Sequence, residues 1–183
     1  SAYAGSQFHL VHQKVHNYAV DLGALYLDVL KDRLYTTGAK SLARRSAQTA
    51  LFHIAEALVR WIAPILSFTA DEIWRELPSD RGGSVFAQTW HQFPKAAAGA
   101  GLEWNTLRGV RLAVAKGLED LRVKGAIGQS LAGEVTLYAD PPLLAALEAP
   151  GEELRFWFIT SRAGVKPADR KPAAALAAAL EDG

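Results

Sequence analysis

The chain has 183 residues, of which 50% are hydrophobic, and its 20 Lys and Arg nearly balance its 19 Asp and Glu. This length suits one full domain or two small ones, with enough apolar residues for a buried core. The apolar runs are too short for a membrane span, and the absence of Cys excludes disulfides and thiolate metal sites.

Helical periodicity dominates the first half of the chain. Apolar residues recur at helical spacing over 8–29, Gly23 predicts a bend in that helix, and "TTG" at 36–38 predicts its end. Ser41 is the predicted N-cap of a second long helix. Pro64 lies within the apolar pattern of that second helix and predicts a kink near its end, because proline removes a backbone donor.

Shorter segments follow. The residues 69–72, "TADE", have the pattern of a capping box and predict a helix that runs to Leu77. "PSDRGGS" at 78–84 predicts a loop, and "SVFAQTWHQFP" at 84–94 predicts an irregular segment anchored by aromatic side chains. "KAAAGAG" at 95–101 predicts a linker.

The second half of the chain mixes helices with strands. Amphipathic spacing predicts a helix over 102–124, and a short helix is expected to begin at the prolines of 141–149. The β-forming residues of 134–139 and of "LRFWFITSR" at 154–162 predict two strands. The Ala-rich tail, 167–183, is expected to be a frayed helix or disordered.

Together these elements predict a mainly α protein, in which a helical bundle is followed by a small α+β subdomain. We assign the bundle to residues 1–95, the subdomain to 96–166 and the tail to 167–183. The sequence has no Met, even at its first position, so we expect it to be a piece of a longer protein.

No pattern of catalytic residues is present. The glycine-rich stretches match neither phosphate-loop pattern, and Ser130 has no nucleophile-elbow glycines around it. His9, His12 and His16 share a helix face, but they have no Cys or nearby carboxylate to complete the ligand set that zinc requires. We therefore predict no catalytic residue and no metal site in this sequence.

The tryptophans have apolar neighbours in sequence. Aromatic side chains of this size dominate protein cores. We therefore predict core positions, rather than platforms on which nucleic-acid bases stack, for Trp61, Trp74, Trp90, Trp104 and Trp157.

Positive charge is concentrated in "LDVLKDRLYTTGAKSLARR", residues 27–45. It spans the end of one predicted helix, a turn and the start of the next helix, so its side chains can converge. Guanidinium groups and a helix N-terminus suit phosphate, and a tyrosine can stack on a base. Nucleic-acid contact and a merely solvated face remain equal alternatives at this point. The candidate residues are Lys31, Arg33, Tyr35, Lys40, Arg44 and Arg45, with Asp32 as an acid able to orient its neighbours.

The same stretch carries a resemblance. The residues 26–74, "YLDVLKDRLYTTGAKSLARRSAQTALFHIAEALVRWIAPILSFTADEIW", resemble the anticodon-binding helical domain of bacterial isoleucyl-tRNA synthetases, which are class I enzymes. The likeness runs through "SVFAQTW" at 84–90. "KGAIGQSLAGEVTLYAD" at 124–140 and "ELRFWFITSRAGV" at 153–165 are similar to the small α+β junction region that follows in that family.

The resemblance implies a cytoplasmic, monomeric ligase that charges an isoleucine tRNA, using ATP with Mg²⁺, and that binds Zn²⁺ in a Cys-rich C-terminal module. The family's catalytic domain, adenylate motifs and editing domain do not occur in this sequence. The resemblance therefore implies tRNA as partner, no membrane, no cofactor in this sequence and no catalytic site. Contact with the anticodon stem and loop is expected at the basic turn.

Two alternatives remain open. The sequence is also consistent with the equivalent portion of a valyl- or leucyl-tRNA synthetase, since those enzymes share the helical bundle. A helical protein–protein interaction module is the alternative of a different class, and the near-neutral net charge of +1 is compatible with it.

Overall fold

The computed structural model describes residues 2–78, 82–95 and 103–178. The chain divides into two compact units, Ser1–Lys95 and Ala96–Gly183. The first is helical and the second combines helices with a parallel pair of strands, so the predicted fold class is confirmed. The helices and strands are α1 Phe8–Asp21, α2 Asp28–Thr36, α3 Leu42–Ile62, α4 Ser67–Glu76, α5 Trp104–Val123, β1 Glu134–Ala139, α6 Pro141–Glu148, α7 Leu154–Phe158 and β2 Arg162–Pro167.

A π-helical segment, Leu22–Leu27, joins α1 to α2. The sequence predicts a bend at Gly23, and the structure places a wider helical turn there instead. A π turn inserts an extra residue and so rotates the helix that follows it. The predicted stop at 36–38 is confirmed, because α2 ends at Thr36.

The first unit is built on α3 and α4. Contrary to the predicted kink, α3 ends at Ile62 and Pro64 lies beyond it. Ala63, directly before the proline, still has helical backbone, with φ −52° and ψ −42°, and the helix stops there because Pro64 has no N–H to donate to the preceding turn. The predicted capping box is also wrong, because α4 begins at Ser67 with 69–72 inside the helix. The core of this unit contains Val59, Ala63, Ala70, Trp74 and Val85.

The second unit packs α5 against a βαβ arrangement. Strands β1 and β2 pair in parallel, in register from Glu134 opposite Arg162 to Ala139 opposite Pro167. A parallel pair requires a crossover connection, which α6 and α7 supply here. The core contains Leu107, Val110, Val114, Leu118, Ala139, Leu147, Leu154 and Phe158.

The strand predicted over 154–162 is wrong. Its first five residues form α7, because Leu154 and Phe158 lie four apart on one helix face and are both buried in the core. Ile159 then takes a left-handed conformation, with φ 53° and ψ 53°, and ends the helix. The strand begins only at Arg162. Packing has overridden the β propensity of this segment.

The other predicted elements, apart from the tail, agree with the structure where it describes them. The segment 84–94 is irregular apart from a 3₁₀ turn at Val85–Ala87. The described tail has a 3₁₀ turn at Ala168–Arg170 and an irregular path to residue 178, so the expected helix is not found there. The predictions for 79–81, 96–102 and 179–183 fall outside the described residues. Across the described ranges, no helix is both long and apolar enough to cross a membrane.

Candidate nucleic-acid interface

The turn between α2 and α3 is closed by a relay of hydrogen bonds. The backbone N–H of Arg44 donates to Oγ of Ser41 at 3.3 Å, which confirms Ser41 as the N-cap of α3. Ser41 Oγ donates to Thr37 Oγ1 at 3.1 Å, and Thr37 Oγ1 donates to the carbonyl of Arg33 at 2.5 Å. The relay satisfies a donor at the start of one helix and an acceptor at the end of the other.

Arg44 also holds the turn through its side chain. Its Nη1 donates to the carbonyl oxygen of Thr37 at 3.3 Å, and the side chain is half-buried. Part of its hydrogen-bonding capacity is therefore used within the protein. The sequence pattern missed this role of Thr37, although a threonine in the last turn before glycine is a signal for hydroxyl-to-backbone bonding.

Three cationic side chains are exposed around this turn: Lys31, Lys40 and Arg45. Tyr35 is 82% exposed and Leu42, the first residue of α3, is 83% exposed. Large exposed side chains of this kind, set among cations, offer contact area to a partner that carries negative charge. The structure thus leaves a cationic and aromatic surface at the tip of the helix–turn–helix.

The acidic residues on α2 have different partners from those the sequence suggests. The Thr36 hydroxyl donates to the backbone carbonyl of Asp32 at 2.6 Å and lies 3.2 Å from its Oδ1, so Asp32 contacts the end of its own helix. The salt bridge belongs to Asp28, whose Oδ1 lies 3.0 Å from Lys31 Nζ. Exposed pairs of this kind contribute little to stability and exchange readily with solvent, so Lys31 stays accessible to a phosphate.

Arg33 faces a different side of α2 from Tyr35. Two residues apart on a helix, they lie about 200° apart around its axis. Arg33 is half-buried, and its charge acts on Tyr26, seven residues earlier on the same face. Burial raises the pKa of Tyr26, the charge of Tyr18 raises it further, and Arg33 opposes both. The structure therefore does not bring Arg33 together with the exposed cluster.

The tryptophans differ in burial and fall into three groups. Trp74 is buried, as predicted, whereas Trp61 and Trp157 are half-buried. Trp90 and Trp104 are 53% and 56% exposed, so the prediction of core positions is wrong for these two. Trp90 lies in the irregular segment, with its ring centroid 5.2 Å from that of Tyr3, and Trp104 is the first residue of α5, 5.5 Å from Trp157.

The histidines of α1 lie on the surface of the helix. The rings of His12 and His16 stack, with centroids 6.1 Å apart, and both side chains are exposed. Over the part of the chain that the structure describes, no group of three or more His, Cys, Asp or Glu side chains is placed to hold a metal ion.

The sequence matches a family model described as the anticodon-binding domain of tRNA ligase, over residues 1–137. The match spans most of the chain and includes the whole helix–turn–helix. This chain therefore belongs to the family of anticodon-binding domains of tRNA ligases.

Its relatives are isoleucine–tRNA ligases. It is 55% identical to that of Nitrosococcus oceani over 180 residues, which are 96% of this chain and 19% of the relative. It is 54% identical to that of Thioalkalivibrio sulfidiphilus, covering 100% of this chain and 20% of the relative, and 52% identical to that of Coxiella burnetii, covering 98% and 20%. The chain thus spans about a fifth of the length of these ligases.

Proposed function

We propose that this chain is the tRNA-binding portion of an isoleucine–tRNA ligase, which joins isoleucine to its tRNA in an ATP-dependent reaction. Identities of 52 to 55% to ligases of that name favour the isoleucine enzyme over the valyl and leucyl ones. The chain would bind the anticodon stem and loop of an isoleucine tRNA. In the complete enzyme, which we propose to be monomeric and cytoplasmic, ATP with Mg²⁺ and any zinc would be held by other segments.

The observation that carries the proposal is the exposed surface at the helix–turn–helix. Tyr35, 82% exposed, lies four residues after Lys31 and so shares its face of α2. Lys40 and Arg45 extend the positive charge across the turn to α3. Phosphate groups would meet the cations, and an unpaired base would stack on the tyrosine ring. Cations and tyrosines also occur in protein–protein interfaces, so it is the match to an anticodon-binding domain that favours tRNA over a protein partner here.

A salt titration of tRNA binding tests the proposal. Each Lys or Arg that meets a phosphate releases condensed counterions, so log K falls with log salt by about 0.7 to 0.9 per contact. One contact from each of the three exposed cations would give a slope of about −2 to −2.7. The variant Lys40→Ala/Arg45→Ala should lose about 1.5 of that slope. It is preferred to a variant of Arg44, whose side chain also holds the turn.

The matched control is Arg162→Ala/Lys166→Ala, which removes two exposed cations from β2 in the other unit. Its slope should stay close to that of the wild type. An equal loss in both double variants would show that the effect is one of net charge, and an unchanged slope at Lys40 and Arg45 would leave the turn as a solvated face.

A further inference from the structure

A groove of about 620 Å³ runs along α3 from the basic turn toward the end of α4. Its α3 side chains recur at steps of three and four residues, which places them on one face of the helix. Leu77, directly after α4, closes the far side. The α3 residues used below are Arg45, Gln48, Thr49, Phe52 and Ala55.

The chemistry of this groove changes along its length. Arg45 stands exposed at the end nearest the turn, and the exposed amide of Gln48 follows one helical turn later. Thr49 is already engaged, because its Oγ1 donates to the carbonyl of Arg45 at 2.9 Å. The far end is apolar, with Phe52 and Ala55 half-buried there. The order is therefore cation, amide and aromatic surface, over about 15 Å of helix at 1.5 Å per residue.

We propose that this groove binds one unpaired RNA nucleotide, with its phosphate at Arg45, its base edge at Gln48 and its base face against Phe52. This inference rests on the proposed function and assigns a base pocket to it. Unpaired RNA bases are recognised by aromatic stacking together with hydrogen bonds to their edges, and a side-chain amide supplies both donors and an acceptor. An arginine adds two-point contact with phosphate.

The position of Phe52 supports this arrangement. Its ring meets the ring of His53 edge to face, with centroids 5.6 Å apart and an angle of 70°. A ring packed in this way is restrained before a ligand arrives, so less side-chain freedom is lost on binding. An apolar side chain of a protein partner is the competing occupant, but it would leave Arg45 and Gln48 without a role at the entrance.

The test uses an RNA hairpin with the anticodon stem and loop of an isoleucine tRNA, prepared with one abasic loop nucleotide at a time. Binding to this chain is measured at about 50 mM salt, where phosphate contacts are strong. One abasic position should weaken binding by about tenfold, the size of a lost base stack. Ala55→Leu fills the groove and Gln48→Ala removes the edge contact, and each should weaken binding of the intact hairpin.

The decisive result is non-additivity. In Ala55→Leu the same abasic position should have no further effect, because the base no longer enters the groove. The matched control is Ala115→Leu on the exposed side of α5, which should behave as the wild type. Two results would contradict nucleotide binding in the groove. One is wild-type hairpin affinity in both groove variants, and the other is a loss of affinity at the abasic position that persists in Ala55→Leu.

The same measurements test the groove proposal and the proposed tRNA-binding function separately. Ala55→Leu keeps Arg45, so its salt slope should equal that of the wild type while its affinity falls. Loss of the slope in Lys40→Ala/Arg45→Ala with unaltered binding in both groove variants would overturn the pocket and leave the proposed function standing. Absence of hairpin binding by the wild-type chain would overturn both.

Discussion

Arg44 closes back on Thr37 across the turn between α2 and α3. Its backbone N–H donates to the Ser41 hydroxyl that binds Thr37 Oγ1, and its Nη1 donates to the Thr37 carbonyl at 3.3 Å. The turn that presents the exposed cations is therefore held by one of the basic residues of the same cluster. The basic residues of this stretch have two roles. Arg44 supports the turn, whereas Lys40 and Arg45 are exposed to solvent.

Because the two arginines differ in role, replacing each by lysine should change the free energy of unfolding in one case and not in the other. Arg44→Lys keeps the charge but loses the planar fork, so it should lower the free energy of unfolding by about 1 kcal/mol, the value of a typical hydrogen bond. Arg45→Lys should leave stability unchanged. Urea unfolding of both variants, followed by circular dichroism, measures the difference. Equal stability of the two variants would contradict a structural role for Arg44.

The second prediction concerns the buried ion pair of the first unit. Arg60 Nη1 donates to Glu56 Oε2 at 2.6 Å, and the guanidinium lies 4.6 Å from the centre of the Trp74 ring. His91 Nδ1 lies 4.0 Å from the same Glu56 oxygen, so the carboxylate keeps a weaker neighbour when Arg60 is removed. Loss of the closer partner from a buried charge pair costs up to about 3 to 5 kcal/mol. Glu56→Leu and Arg60→Met should each destabilise the unit by about that amount.

The double variant Glu56→Leu/Arg60→Met should be more stable than either single variant. With both charges gone, no desolvated ion remains, and apolar groups of similar volume fill the space. Native-state hydrogen exchange of the α3 amides reports this unit separately from the other one. Additive losses in the double variant would show that the pair itself, and not the desolvation of a lone charge, sets the cost.

Local signals predicted the boundaries of the basic turn well. Ser41 follows a glycine-containing stop and precedes an apolar-periodic run, and side-chain capping is a contact between residues close in sequence. The exposed face of α2 was not predictable in the same way. The π-helical segment Leu22–Leu27 rotates α2 relative to α1, so the helical phase of 8–21 does not give the direction in which Arg33 faces.

Long-range packing explains the features that the sequence did not predict. Three of the residues 154–158 are aromatic β-formers, and the buried contacts of Leu154 and Phe158 favour a helix there instead. The groove on α3 was invisible in the sequence for a related reason. Gln48 and Thr49 are ordinary polar positions on a helix until the chain after α4 brings Leu77 beside them.

The third prediction concerns Thr160, which is 5% exposed. Its Oγ1 is buried and finds no hydrogen-bond partner among the described residues. Because a buried hydroxyl without a partner carries a desolvation penalty, Thr160→Val should stabilise the second unit by about 1 kcal/mol. The control is Thr136→Val at an exposed position of β1, where a change within about 0.5 kcal/mol is expected. Thermal unfolding of both variants compares them, and a destabilised Thr160→Val would indicate a hydrogen bond to that hydroxyl.

The fourth prediction tests the direction in which Arg33 faces. Its charge lowers the pKa of Tyr26 against the raising effects of burial and of Tyr18. Arg33→Gln should therefore raise the pKa of Tyr26 further above its ordinary value of 10.0, whereas Arg45→Gln should not change it. Nuclear magnetic resonance of ring-labelled tyrosine, titrated through alkaline pH, measures this directly.

The raised pKa of Tyr26 also makes the free energy of unfolding depend on pH. The folded state holds the phenol proton of Tyr26 more tightly than the unfolded state, so this contribution is complete below about pH 10 and is lost as pH rises past it. Arg33→Gln should steepen that alkaline loss, and Tyr26→Phe should remove it. If Arg33 points at Tyr26 in this way, its removal should also change the salt slope of tRNA binding less than removal of Arg45 does. Two results together would contradict this. If Arg33→Gln leaves the Tyr26 titration unchanged and lowers the salt slope by a full unit, Arg33 contacts the RNA instead.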